Sequence, residues 1–207
     1  MSIHWLDVSI PLREGMAVWP GDLPFEMTPA ARIDNGDGCN TSVLRLGTHT
    51  GTHCDAPWHF EADGRRLHEV DTTLFFGEAR VVDMPDVDIV TAGDLAGVEL
   101  HERMLFRTRN SAVPLDAPFQ RDFVALDNSA AALLVESGVR LVGVDYLSVA
   151  PFANGAPTHH TLLQHGVFVV EGLRLGPVPP GVCPFIVLPM PLRDADGAPC
   201  RAFVGLP

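Results

Sequence analysis

Short runs of Val, Ile, Leu and Phe, each closed by Gly, Pro, Asn or Asp, recur along most of the chain. They occupy residues 3–11, 41–48, 79–84, 103–108, 123–126, 139–144, 167–170 and 184–188. None reaches helical length before a breaker, so each is predicted to be a strand. The clearest helix falls at 130–137, where good helix formers carry an apolar face, Asn128 or Ser129 can cap the start and Gly138 suits the stop. Two weaker start signals are Thr91 before 92–96 and Pro157-Thr158 before 159–165, the latter stopped by Gly166. Many strands, few helices and one strand-helix-strand unit predict a mixed α/β fold with a partly antiparallel sheet or barrel.

Nothing in the pattern divides the chain, which has no repeat, charge run or serine-rich linker, so residues 1–207 are expected to form a single domain. With 46% hydrophobic and 19% charged residues the composition is globular. The 19 glycines and 18 prolines fit many turns between short strands. All 14 basic side chains are Arg, against 26 acids, for a net charge of −12. Such a surface is a poor partner for phosphate backbones or anionic membranes. No apolar stretch approaches the roughly 20 residues that cross a bilayer, and residues 1–5 lack the form of a signal peptide, which points to the cytoplasm. Cys39, Cys54, Cys183 and Cys200 form no C-x-x-C pair and are expected to be reduced.

The chemistry concentrates in the segment His49-Thr-Gly-Thr-His53-Cys-Asp55-Ala-Pro-Trp-His59-Phe60. A single histidine is more often an ordinary hydrogen-bonded residue, and His4, His68 and His101 are read that way. Three histidines and an aspartate within one short segment are a donor set for Zn²⁺, Mn²⁺ or Fe²⁺. On a straight strand His49 and His53 would stand roughly 13 Å apart, so the chain must turn, and Gly51 can do so cheaply. His53 and Asp55, about 7 Å apart, can converge on one cation, while Pro57 stiffens the approach to His59.

A second patch, Thr158-His159-His160-Thr-Leu-Leu-Gln-His165, precedes the apolar run at 167–170 that ends in Glu171. One histidine of the 159/160 pair together with Glu171 could complete a second ion beside the first, with Asp55 and Glu171 bridging.

The segment from His49 to Phe60 resembles the H-x-G-T-H-x-D-x-P-x-H-F signature of the cyclase-like metal-dependent hydrolases, a family that includes bacterial kynurenine formamidases. Weaker similarities are Val18-Trp19-Pro20-Gly21-Asp22, Gly143-Val144-Asp145 and the stretch 159–171. The resemblance implies a swivelling β/β/α barrel-like domain with a mixed sheet, assembled as a homodimer or homotetramer. It implies two divalent ions, Zn²⁺ first and Mn²⁺ second, held by His49, His53, Asp55, His159 and Glu171, with His59 as catalytic acid/base. His159 is preferred to His160 because the family spaces this His and Glu as 159 and 171 are spaced. Trp19 matches an aromatic residue of the family's substrate pocket; as a residue alone it could equally anchor the first strand region.

The implied reaction is hydrolysis of a small-molecule amide, N-formylkynurenine to kynurenine and formate, by a metal-activated water. No G-x-S-x-G elbow offers a serine nucleophile. The stretch Asp145-Tyr146-Leu147-Ser148 departs from the Asp-Thr-Pro-Ser form of dedicated formamidases, which keeps a cyclic amide such as isatin as the alternative substrate. From the residues alone, His53-x-Asp55 with a distal His also spells a mononuclear Fe²⁺ oxygenase triad, although that leaves His49 and Glu171 without roles. In a non-enzymatic metal- or ligand-binding module, His59 would be dispensable.

Overall fold

Five of the expected strands, at 79–84, 103–108, 139–144, 167–170 and 184–188, take part in a closed wall. The computed structural model describes residues 3–206. Its strands are β1 (His4–Asp7), β2 (Glu26–Ala31), β3 (Thr41–Arg45), β4 (His53–Asp55), β5 (Phe76–Met84), β6 (Arg103–Thr108), β7 (Leu141–Val144), β8 (Phe168–Glu171), β9 (Gly181–Pro189) and β10 (Gly197–Leu206). Helix α1 (Asn128–Glu136) joins β6 to β7 and α2 (Ala156–Gln164) joins β7 to β8. Strands β5, β6, β7 and β8 run parallel in that order. Antiparallel pairings β8–β4, β4–β10, β10–β9 and β9–β5 then close a seven-strand mixed barrel. Strand β1 lies along β10 outside the ring, while β2 and β3 form a separate two-stranded hairpin.

Alternating side chains of the parallel strands feed two cores. Leu105, Leu141, Phe168 and Val170 point into the barrel, where they meet Phe185, Val187, Ala202 and Val204. Their neighbours Met104, Phe106, Val142, Val144 and Val169 point outward and pack beneath Ala130, Ala131, Leu134, Leu162 and Leu163 of the helices. Burial on both faces explains why these strands read as unbroken apolar runs. Helix α1 begins where Asp127 accepts the Ala130 N–H at 2.9 Å, and Gly138 beyond it has a φ of +78°. Asp127 thus takes the capping role expected of Asn128 or Ser129.

Two expected elements take another form. Residues 123–126 join no ladder, because Leu126 makes only an isolated bridge to Val90 and its N–H goes to the Val149 carbonyl. Residues 92–96 form turns instead of a helix, with the Asp94 carboxylate accepting both the backbone N–H and the hydroxyl of Thr91.

The loop after β6 is gathered on one buried acid at the end of β7. Asp145 accepts from the backbone N–H groups of Thr108 (2.7 Å) and Ser111 (3.1 Å), from both their hydroxyls, and from Asn110 Nδ2 (3.3 Å). Burial nevertheless pushes its carboxyl above the usual range. Asp145→Ala leaves these donors without their acceptor and is expected to lower the unfolding free energy by about 3 kcal/mol, read as a reduced urea midpoint at unchanged slope.

Candidate metal centre

Glu171 is the last residue of parallel strand β8, and the antiparallel pairing with β4 sets it directly across from His53. Cys54 faces the barrel core, so its neighbours His53 and Asp55 project from the opposite face, toward α2. His159, in the first half of α2, reaches the same place. Just before β4 the chain turns through Gly51 at a φ of +69°, which brings the rings of His49 and His53 to 5.0 Å centroid to centroid. Gly51 is matched by Gly172 at a φ of +71°, where a Cβ would stand 2.5 Å from the Gly51 carbonyl oxygen. These two close-packed glycines let the loop before β4 and the end of β8 touch.

Two buried carboxylates result, with an imidazole opposite each oxygen. Asp55 Oδ1 lies 2.9 Å from His49 Nδ1 and 3.6 Å from His53 Nε2, while Oδ2 lies 3.9 Å from His159 Nε2. Glu171 Oε2 lies 3.2 Å from His53 Nε2, and Oε1 lies 3.5 Å from His159 Nε2. The Val149 N–H also donates to Glu171 Oε1 at 2.6 Å. His49 bridges outward as well, with Nε2 2.8 Å from Asp196 Oδ2. His59 stacks on His49 with ring centroids 3.9 Å apart. Phe60 lies flat against His159, centroids 4.2 Å apart and planes 6° from parallel. His160 points away, half exposed, and pairs with Glu61 at 2.7 Å.

The electrostatics follow from burying acids beside imidazoles. Burial pushes the Asp55 carboxyl up, but the hydrogen bond from His49 and the nearby rings outweigh it and hold the group well below the carboxylate range. Burial and the charge of Asp55 push Glu171 up, yet His159 and His53 bring it below its ordinary value. Burial disfavours the charged form of His49, but its bonds to Asp196 and Asp55 lift it to about 10. His159 is raised, against the effect of burial, by Glu171. His59 is lowered by burial. Asp196, bonded to His49, sits at about 2.

Among the described residues, one buried side-chain oxygen remains unsatisfied: Asp55 Oδ2 has no hydrogen-bond partner. A buried carboxylate oxygen so placed asks for a cation. The donor atoms fit one, since those of His53, Asp55 and Glu171 lie within 4.8 Å of one another, as do those of His49, Asp55 and His59. Imidazole nitrogen with carboxylate oxygen is the donor chemistry of a divalent transition-metal site.

Trp19 lies in the loop between β1 and β2, half-buried, with Phe119 and Phe152 each 5.2 Å away and Phe123 at 6.3 Å. Tyr146 stacks on Phe123 at 4.6 Å. One loop links this aromatic group to the end of β8. Tyr146 accepts the Gly172 N–H at 2.7 Å through its carbonyl, and Val149, three residues on, donates to Glu171.

The Cyclase family model matches residues 6–151, and the chain belongs to that family. It is 36% identical over 204 residues to a kynurenine formamidase of Bacillus mycoides, covering 97% of both chains. It is also 36% identical over 201 residues to one of Geobacillus thermodenitrificans, covering 96% of this chain and 95% of the relative. Among solved structures, a potential metal-dependent hydrolase with cyclase activity superposes with a TM-score of 0.87 at 31% identity, over 99% of this chain and 98% of the other. An isatin hydrolase A from Labrenzia aggregata, 21% identical, shares the fold with a TM-score of 0.85 over 99% of this chain and 94% of its own.

Asp196 carries no signal of a site in the sequence. It sits in Asp194-Ala195-Asp196-Gly197, a stretch that reads as a turn, and only the β4–β10 ladder brings it to His49.

Zn²⁺ or Mn²⁺ at a hundredfold excess over its Kd is expected to stabilise the fold by about 2.7 kcal/mol, seen as a higher Tm that a chelator reverses. A Tm indifferent to both ions would contradict a metal centre.

Proposed function

We propose that this chain is a metal-dependent amide hydrolase that cleaves N-formylkynurenine to kynurenine and formate. The observation that carries the reading is the buried Asp55–Glu171 pair ringed by His49, His53 and His159, with Asp55 Oδ2 left without a partner. The full-length likeness to kynurenine formamidases supports the substrate. So does the aromatic group of Trp19, Phe119 and Phe152, which suits an aryl amide and is linked to the end of β8 by the loop that carries Tyr146 and Val149.

His49, His53 and Asp55 would hold one ion, and His159 with Glu171 a second, Zn²⁺ first and Mn²⁺ as the alternative. Support for bridging carboxylates comes from the oxygens of Asp55 and Glu171, which face different imidazoles. Ions bound there supply Lewis-acid polarisation of the amide carbonyl and a water of lowered pKa. His59 moves the proton. Its Nδ1 is turned toward Asp196 at 3.8 Å, which leaves Nε2 for the leaving amine, and the His49 stack holds the ring. Its lowered pKa favours the neutral ring, which can take a proton from the attacking water and then give it to the leaving amine. Trp19 binds the aryl ring of the substrate.

A cyclic amide of the isatin type is the second reading, favoured by one observation: the segment Asp145-Tyr146-Leu147-Ser148 lies between the aromatic group and Glu171. The oxygenase alternative accounts poorly for a cluster that includes His49 and Glu171 as well as the triad.

The assembly is read as a homodimer or homotetramer. The β2–β3 hairpin leaves Met27, Val43 and Leu44 at least half exposed, an apolar surface that a second copy would cover. Among the described residues no helix is long and apolar enough to cross a membrane. A cytoplasmic location is in keeping with four free cysteines.

Side-by-side assays settle the substrate: formate release from N-formylkynurenine is expected to exceed turnover of isatin, and its absence would remove the formamidase reading. His59→Ala is expected to keep the metal content of the parent, measured by elemental analysis at two equivalents per chain, and to lose ~10²–10⁴-fold in kcat. Full activity at full metal content would remove His59 from its role.

A further inference from the structure

The three imidazoles that face the acid pair are tied down in one manner. His53 Nδ1 donates to the Gly51 carbonyl at 3.0 Å, and His159 Nδ1 to the Gly155 carbonyl at 3.2 Å. In each, the other nitrogen, Nε2, faces the carboxylates and is free to turn a lone pair to an ion held between them. At His49 the roles of the nitrogens are exchanged. Nε2 lies 2.8 Å from Asp196 Oδ2, and Nδ1 lies 2.9 Å from Asp55 Oδ1. The anchor is a backbone carbonyl twice and a side-chain carboxylate once.

Asp196 is built in for this contact. Its backbone carbonyl accepts the Ala56 N–H at 2.8 Å, one residue past Asp55. The following Gly197 has no Cβ; one placed there would stand 2.4 Å from the Cys54 carbonyl oxygen and 2.9 Å from His49 Cε1. Strand β10 therefore lies closer to the imidazole than any other residue at position 197 would permit. The same Oδ2 takes the Thr48 hydroxyl at 3.3 Å and faces His59 Nδ1 at 3.8 Å.

We propose that Asp196 is the positioning residue of the metal centre: it fixes His49 as the Nε2-protonated tautomer with the Nδ1 lone pair aimed at the ion, and it steadies the His49–His59 stack. This rests on the metal reading above and names the residue that orients one of its ligands. A ligating histidine whose second nitrogen donates to a carboxylate is both oriented and made a stronger donor.

The test compares Asp196→Ala and Asp196→Asn with Asp194→Asn, which removes a charge from the same loop away from His49. Each protein is titrated with Zn²⁺ against a chromophoric chelator, and the histidine ring ¹⁵N–¹H spectrum of the Zn²⁺-loaded form is recorded. Asp196→Ala is expected to bind Zn²⁺ about 10–100-fold more weakly and to lose the Nε2-protonated signal of His49. Asp194→Asn should match the parent in both. Asp196→Asn, of the same shape, should weaken binding in the same direction and carries the test if the alanine variant does not fold. Parental affinity in the Asp196 variants, or weakened affinity with an unchanged ring spectrum, would overturn the positioning role. If the parent binds no Zn²⁺, the metal reading falls together with this one; if the parent binds and the Asp196 variants bind equally, only the role of Asp196 falls.

Discussion

Two carboxylates buried side by side set the terms for this molecule. Asp55 and Glu171 are each only a few per cent exposed, project from adjacent strands, and would repel one another across the β4–β8 ladder. Burying one unpaired carboxylate costs several kcal/mol even after relaxation, and two together cost more. The surrounding structure is organised to supply polar partners. His53 comes from the facing strand, His49 from the turn before it, His159 from the helix that covers it, and the Val149 N–H from the loop after β7.

The barrel makes that gathering possible. A parallel strand that ends in an acid, Glu171 on β8, needs an antiparallel neighbour to lay His53 directly opposite, and β4 provides it with only three residues. So short a strand has little stability of its own. Pairing on both edges, with β8 on one side and β10 on the other, holds it in register, and Cys54 anchors it in the barrel core. Precision at the site is thus a property of the closed sheet, while the loops contribute the aromatic wall and the residues that approach from above.

Much of this was legible in the chain. Parallel strands buried on both faces appear as uniform apolar runs, and β6, β7 and β8 were readable for that reason. The capping signal at 128–129, one residue past the observed cap Asp127, and the breaker at Gly138 mark α1. His49, His53 and Asp55 stand out by density and by the shared signature, Glu171 only as the acid that closes an apolar run and could complete a second ion, and Gly51 is identifiable as the turn between the first two. Less visible was whatever depends on closure. β4 is hidden because its alternate residues serve the site instead of a solvated face, and the start of β10, Gly197-Ala198-Pro199, looks like a turn. Residues 123–126 have strand composition, but their backbone groups are claimed by the loops of Val90 and Val149. Asp196 lies 147 positions from its partner His49, a distance over which periodicity and spacing carry no signal.

Strand β10 closes the ring between β9 and β4, and it follows every other strand in the chain. During synthesis the first histidines emerge long before it. Until β10 arrives, β4 has one bare edge, His49 lacks its outer anchor, and the acid pair has no fixed frame. On the ribosome the centre therefore cannot be completed before β10 has emerged, and an ion offered to the nascent chain would find scattered imidazoles where the finished barrel presents an ordered set.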